Sequence, residues 1–132
     1  MVILDTNIII GHLRQRSGAD TQLLRITAVV PLAELAISTI SIQELFEGKS
    51  SKDREKQNAL YLVMAPFTTL PYTTDVARRA GEISRDAKQP IEFADAAIAA
   101  TAIMHCAQLY TLNVKHFRDI PGLELYESLC AV

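Results

Sequence analysis

Short, strongly apolar segments alternate along the chain with longer stretches in which apolar residues recur every three or four positions. The short segments are typical of buried strands, and the longer stretches are typical of helices with one buried face. The pattern predicts strands at 2–4, 35–38, 67–70 and 109–111, with a further edge strand at 123–126. It predicts helices at 8–13, 21–30, 41–48, 52–65, 73–88 and 94–107. This alternation predicts a three-layer α/β/α sandwich around a mainly parallel sheet of four to five strands.

Proline and glycine residues delimit the predicted elements without dividing the chain. Pro31 and Pro66 end two of the helices, and Gly48 is placed to cap a third. The helix at 94–107 is nearly all small or apolar, which favours close packing against the sheet. Because the sequence has no internal repeat, low-complexity tract or long linker, we expect a single domain over 1–132.

Composition agrees with a sheet that is covered on both faces. Hydrophobic residues make up 49% of the 132 residues, and the mean hydropathy is +0.16. No apolar run reaches about 18 residues and the start lacks a basic segment, so we expect a cytoplasmic protein without membrane association. In that compartment Cys106 and Cys130 are expected to be free thiols.

The net charge of −2 does not by itself indicate a nucleic-acid binder, so the distribution of basic residues matters more. A first basic stretch, with four Lys and Arg side chains between Lys49 and Lys56, is interpreted as solvated helix surface. A second stretch comprises Lys115, His116 and Arg118 and follows a predicted strand end directly. We predict that this second stretch contacts phosphate.

Three carboxylates carry the predicted chemistry. Asp5 ends the first strand, Glu44 lies in the first turn of the helix after the second strand, and Asp95 opens the alanine-rich helix. In an open parallel sheet such positions gather along one edge, where ligands bind. Carboxylates that meet there repel one another by a few kcal/mol per close pair, and a divalent cation removes that repulsion. Hard oxygen ligands suit Mg²⁺ or Mn²⁺, so the hypothesis is a metal-dependent phosphodiesterase site.

Each acid also has an ordinary structural explanation. Asp5 could cap the following helix, a contribution of about 1 kcal/mol. Ser41 and Glu44 have the spacing of a capping box, and Asp95 gains from the dipole of the helix that it opens.

The combination of polar positions favours the functional interpretation. Asp5 ends a strongly apolar strand, and Asp95 is the only acid in an otherwise apolar stretch. Asn113 adds another oxygen-bearing side chain just past the fourth strand, with Thr111 before it. Glu92 lies one helical turn before Asp95 and is interpreted as a solvated acid.

Other chemistries find less support in the sequence. His12, His105 and His116 lack the spacing and the cysteine partners of a zinc site. The sequence contains neither a glycine-rich phosphate loop nor a G-x-S-x-G motif. The segment 5–7 is similar to the start of aspartate-nucleophile phosphatases, but the second aspartate of that motif is absent.

The acids lie within motifs that resemble those of PIN-domain ribonucleases, specifically VapC-type toxins of toxin–antitoxin pairs. The matching motifs are VILDTN at 2–7, ISIQEL at 40–45 with Gly48, DAAIAATA at 95–102, TLNVKHF at 111–117 and IPGL at 120–123. Each motif is short, but they occur in the family's order over essentially the whole chain.

The resemblance implies an acidic pocket in which Asp5, Glu44 and Asp95 hold Mg²⁺ or Mn²⁺. Asn113 stands where many relatives carry a fourth acid, which leaves the number of metal ions open. Asn7 and Thr111 are implied to be supporting polar residues that orient water or ligands.

The resemblance also implies cleavage of RNA, often a structured RNA such as tRNA. It implies inhibition by a cognate antitoxin protein and homodimerisation. Two alternatives stay open: a binding or regulatory module that keeps the pocket but has little catalysis, and a metal-dependent phosphatase.

Overall fold

The computed structural model describes residues 1–127, which form five strands and seven α-helices. The strands are β1 (Val2–Leu4), β2 (Leu35–Ser38), β3 (Thr68–Leu70), β4 (Gln108–Tyr110) and β5 (Glu124–Leu125). The helices are α1 (Thr6–Arg14), α2 (Gln22–Val29), α3 (Thr39–Glu47), α4 (Arg54–Met64), α5 (Thr74–Asp86), α6 (Phe93–Met104) and α7 (Val114–Phe117). Two short 3₁₀ helices, Leu32–Glu34 and Lys49–Lys52, precede β2 and α4. Cys130 lies outside the described residues, and Cys106 is an exposed free thiol.

The five strands form one parallel sheet in the order β3-β2-β1-β4-β5. Chain order runs outward from β1 in both directions, so the point between β1 and β4 is the topological switch point. In open α/β sheets, ligands bind in the crevice that forms there at the carboxyl ends of the strands.

Helices cover both faces of the sheet, because alternate strand residues point to opposite sides. Ile3 and Leu109 belong to a core that they share with α5, α6 and α7. Leu4 and Ile37 belong to a second core, shared with α1, α2, α3 and α4. The expected three-layer α/β/α sandwich is therefore confirmed.

Two helix boundaries differ from the sequence expectation in ways that matter for the site. The helix expected from residue 41 begins at Thr39, because the hydroxyl of Ser38 accepts a hydrogen bond from Ile40 N at 3.0 Å. Ser41 therefore lies inside α3, and the capping-box explanation of Glu44 is wrong. Glu44 lies in the second turn of α3, not the first.

The alanine-rich helix is also shorter than expected. The sequence pattern predicts a helix to residue 107, but α6 ends at Met104. Cys106 has a φ of 51°, in the left-handed region, and this turn directs the chain into β4. Within residues 1–127, no helix is long and apolar enough to cross a membrane.

Candidate active site

The carboxyl edge of the sheet brings together polar side chains from four separate elements. Asp5 follows β1, and Thr111 follows its neighbour β4. Glu44 lies on α3, which follows β2, and Asp95 lies in the first turn of α6. The sequence prediction that these positions meet at one edge therefore describes the arrangement of the backbone correctly.

Asp5 is held rigidly at the switch point. The residue is 4% exposed, and its backbone N donates to Tyr110 O at 2.9 Å. One carboxylate oxygen accepts from Thr6 N at 2.8 Å. Asp5 therefore caps α1, as its structural explanation predicts. The other oxygen accepts from the hydroxyl of Thr111 at 2.7 Å. Asp5 thus caps a helix and also joins the ends of the two central strands.

A pair of buried hydroxyls positions Glu44. Thr6 Oγ1 lies 2.6 Å from Glu44 Oε1 and 2.9 Å from Ser41 Oγ. The Thr6 hydroxyl has a single proton, and the short distance to a carboxylate is that of a charge-assisted hydrogen bond. Thr6 therefore donates to Glu44, and Ser41 donates to Thr6.

Asp95 is partly buried and has a basic neighbour. Its side chain is 19% exposed, and its Oδ2 lies 3.4 Å from Nδ1 of His116 on α7. His116 itself is largely exposed. The contact between these two side chains joins α6 to the segment that follows β4.

The site is short of positive charge. Burial raises the pKa of Asp5 above its ordinary value, and the charge of Asp95 adds to this against an opposing hydrogen bond from Thr111. Burial likewise raises the pKa of Glu44, with the charge of Asp5 adding and the Thr6 hydrogen bond opposing. Burial also raises the pKa of Asp95, although His116 opposes it. Each of the three carboxylates therefore ionises less readily than it would in water.

The predicted supporting residues surround Thr111. Its hydroxyl accepts from Asn113 N at 3.0 Å and faces Asn7 Nδ2 at 3.5 Å. Asn7 Oδ1 in turn accepts from Leu112 N at 3.3 Å. The Asn113 side chain is exposed just before α7 and makes no cap hydrogen bond to that helix. Asn7 and Thr111 therefore tie α1 to the chain after β4, while Asn113 stays open to solvent.

A cleft of about 780 Å³ adjoins Asp95. Lys115 and His116 line it, as do Arg79 and Lys88, whereas the exposed Arg118 does not. The other acids that line the cleft are Glu82, Asp86, Glu92 and Asp119. Carboxylates outnumber Lys and Arg in this lining, so the cleft is acidic. Glu92 is exposed at the start of α6, as expected of a solvated acid.

The donor set suits a hard cation that keeps part of its water shell. Within residues 1–127, no three His, Cys, Asp or Glu side chains are arranged so that all of them could hold one ion. Mg²⁺, however, usually keeps several waters and is bound through one or two carboxylates. The three carboxylates have raised pKa values and few cationic neighbours, so a cation would offset charge that the protein leaves uncompensated. The site therefore fits such an ion chemically.

Sequence reasoning missed the two hydroxyls that hold Glu44 and the contact between His116 and Asp95. Ser41 precedes Glu44 by three residues, a spacing that was interpreted as a cap. Thr6 follows Asp5 directly, and its residue type alone does not indicate a role. Neither hydroxyl carries a signal in the sequence, because the partners of both depend on how α1 and α3 pack.

Comparison with known proteins places this geometry in a family. A family model for the PIN domain matches residues 2–123. The chain therefore belongs to the PIN-domain family, and the resemblance seen in its motifs is confirmed at that level.

Individual relatives point the same way. The chain is 36% identical over 120 residues to "Ribonuclease VapC10" of Mycobacterium tuberculosis, covering 89% of this chain and 86% of that protein. It is similar to VapBC2 from Rickettsia felis bound to a promoter DNA fragment, with a TM-score of 0.79 and 27% identity over 95% of this chain and 96% of that one. It is also similar to VapBC-1 from nontypeable Haemophilus influenzae, with a TM-score of 0.77 and 28% identity over 96% of each chain.

Proposed function

We propose that this protein is a metal-dependent endoribonuclease, the toxin of a VapC-type pair, which hydrolyses RNA phosphodiester bonds. The observation that carries the proposal is the meeting of Asp5, Glu44 and Asp95 at the switch point, each with a raised pKa. The relatives named as ribonucleases support RNA as the substrate.

The residues of the chain have distinct parts in this chemistry. Asp5 and Asp95 would hold Mg²⁺ or Mn²⁺, with Glu44 contributing through a water. When bound, the cation supplies Lewis-acid chemistry, which polarises the attacking water and offsets the charge that builds up on the phosphate. Thr111 and Thr6 hold the carboxylates of Asp5 and Glu44 in place.

A carboxylate beside the attacking water can act as its general base. Glu44 or Asp95 would accept the proton of that water. Lys115, His116 and Arg118 would bind the RNA backbone. Asn113 would add a fourth oxygen-bearing side chain to the site, and Asn7 and Thr111 would orient water or ligands.

The partners follow from the relatives. The structural neighbours include a toxin–antitoxin complex from Klebsiella pneumoniae that is 27% identical to this chain, which supports a cognate antitoxin. We extend the proposal to a homodimer in the cytoplasm that cuts a structured RNA such as tRNA.

The substitution Asp5→Asn tests the assignment. Amide and carboxylate are nearly isosteric, so the fold should persist while cleavage of total RNA in Mg²⁺ falls to the level seen with EDTA. Asp75→Asn, which alters an exposed carboxylate on α5, is the matched control and should cut like the wild type. If folded Asp5→Asn protein cuts RNA at the wild-type rate, the proposed site is wrong.

A binding or regulatory module with weak catalysis is the second candidate. Asn113 in place of an acid favours it, as does the lack of a three-ligand arrangement within residues 1–127. RNA cleavage with and without EDTA, together with thermal melting in Mg²⁺ or Mn²⁺, separates the two. EDTA-sensitive cleavage supports the nuclease, whereas RNA binding without cleavage supports the module. Small phosphate esters serve as the control substrate for a phosphatase.

A further inference from the structure

One aromatic ring next to the acidic site is exposed without an evident structural reason. Phe93 is the first residue of α6 and is 69% exposed. Among the large apolar side chains of residues 1–127, only Leu62 is more exposed. An exposed aromatic ring two residues before Asp95 offers apolar surface that a ligand at the site can cover.

The ring of Phe93 is supported from one side. The Tyr72 ring packs against it with the ring centroids 6.0 Å apart and the planes tilted by 56°. Tyr72 is itself fixed, because its backbone N donates to Thr39 Oγ1 at 3.1 Å, at the start of α3. Phe93 is therefore a braced ring with much of its surface free, and binding to it would lose little side-chain entropy.

The ring lies at the same edge of the sheet as the carboxylates. Tyr72 follows β3, which is two strands from β1. Neighbouring strands are about 4.8 Å apart, so the ends of β3 and β1 are separated by about 10 Å. A nucleotide whose phosphate lies over Asp5, or the nucleotide next to it, can reach such a ring.

Charge along this edge favours a base over a phosphate beside Phe93. The ionisable residues nearest to Phe93 along the chain are Glu92 and Asp95, both acidic. Lys115 and His116 lie after β4, and His116 contacts Asp95. A phosphate is repelled near Phe93 and attracted near Lys115, whereas the face of a base has no such penalty.

We propose that Phe93, braced by Tyr72, is the platform on which an unpaired base of the RNA stacks beside the cleaved phosphate. This inference rests on the proposed function and adds a residue that positions the substrate. It requires the target RNA to present a base out of its stack near the cut. Loss of one aromatic stacking partner typically weakens single-strand binding by about 5- to 150-fold.

A fluorescent base reports stacking directly. The probe is a short single-stranded oligoadenylate that carries one 2-aminopurine, titrated in Mg²⁺ against Asp5→Asn protein so that the probe stays intact. We expect binding to quench the fluorescence. Adding Phe93→Ala should weaken binding by about 5- to 150-fold and abolish the quenching, while Phe93→Trp should retain both. Leu62→Ala, an exposed apolar residue on α4, is the matched control and should change neither.

Cleavage kinetics in an otherwise wild-type background separate this inference from the proposed function. We expect Phe93→Ala to raise KM far more than it lowers kcat, and Phe93→Trp to restore KM.

The possible outcomes distinguish the two proposals. If the wild type cuts RNA but Phe93→Ala and Leu62→Ala have the same KM and the same quenching, the stacking role is overturned while the nuclease stands. If the wild type cuts no RNA but quenching still depends on Phe93, the nuclease fails and the stacking stands. A change of oligomeric mass in Phe93→Ala would overturn the proposal in favour of a subunit contact.

Discussion

The hydroxyl of Thr6 has one proton and two oxygen neighbours, and this determines how Glu44 is held. Because the proton goes to the carboxylate, the fully buried Ser41 depends on Thr6 as its acceptor. A single side chain in the first turn of α1 thus serves two groups on α3. Residues that hydrogen-bond to the ligands of a metal ion fix the orientation of those ligands. Their loss typically lowers metal affinity or activity by about 10- to 100-fold.

Thr6→Val therefore tests the positioning of Glu44, since valine keeps the shape of threonine but lacks its hydroxyl. We expect RNA cleavage to fall by about 10- to 100-fold. We expect stability to fall by about 1–3 kcal/mol, because Ser41 loses its partner. Thr6→Ser keeps the hydroxyl and should stay near the wild type. Single-turnover cleavage and urea unfolding measure the two effects, and equal cleavage by the Val and Ser variants would contradict this role.

The raised pKa of Asp5 predicts how stability depends on pH in EDTA. The folded protein holds the proton of Asp5 more tightly than the unfolded chain does. The stabilisation from protonated Asp5 is therefore complete below the unfolded pKa of about 4, and it is lost as pH rises through the raised folded pKa. Asp5→Asn, which cannot ionise, should be more stable than the wild type at neutral pH.

Urea unfolding of both proteins across pH measures this difference. The advantage of Asp5→Asn should shrink as pH falls toward about 4, because the wild-type carboxyl then takes up its proton. Asp75→Asn, with its exposed side chain, controls for the change in net charge. A difference between Asp5→Asn and the wild type that is constant across pH would show that burial of the charge is not its cause.

At the scale of residues, the sequence predicts which acids form the site but not the hydrogen bonds that hold them. Asp5 and Asp95 stand out because acids are costly beside apolar strands and helices. The hydroxyls of Thr6 and Ser41 carry no such signal, because their partners depend on how α1 and α3 pack. The contact of His116 with Asp95 likewise requires knowledge of where α7 lies.

At the scale of elements, strands were predicted more accurately than helix starts. β1 and β2 have the expected bounds, because each is a short apolar run that the sheet buries on both faces. α3 begins two residues earlier than expected, because Ser38 and Ser41 are equally good caps by residue type. Because β2 ends at Ser38, the helix begins directly after that residue and Ser38 is the cap. The four-residue α7 was not predicted, because so short a helix has no periodicity to detect.

The small residues of α6 predict a strong sensitivity to added volume. Ala100 is fully buried in a helix whose alanines let it pack closely against the sheet. Ala100→Leu should cost about 1–3 kcal/mol and, by displacing α6, reduce RNA cleavage through Asp95. Ala65→Leu adds the same volume at the exposed end of α4 and should be nearly neutral. Urea unfolding compares the two variants, and equal stability would show that the layer beneath α6 can expand.

At the scale of the whole molecule, the site belongs to both helical layers. Asp5 joins β1 to α1, Glu44 comes from α3 on the same side, and Asp95 comes from α6 on the other side. Their mutual repulsion therefore acts across the sandwich. A ligand that offsets this charge should stabilise the fold as a unit.

Metal binding should therefore raise the melting temperature of the whole chain. At about 100 times its Kd, Mg²⁺ or Mn²⁺ should add about 2.7 kcal/mol, which is about 10 °C for a domain of this size. Asp95→Asn should remove most of the shift, and NaCl at equal ionic strength should not reproduce it. The shift should also shrink in acid, because protonated carboxyls no longer bind the ion. An equal shift in Asp95→Asn would mean that the ion binds elsewhere. No shift in the wild type would contradict metal binding by these carboxylates.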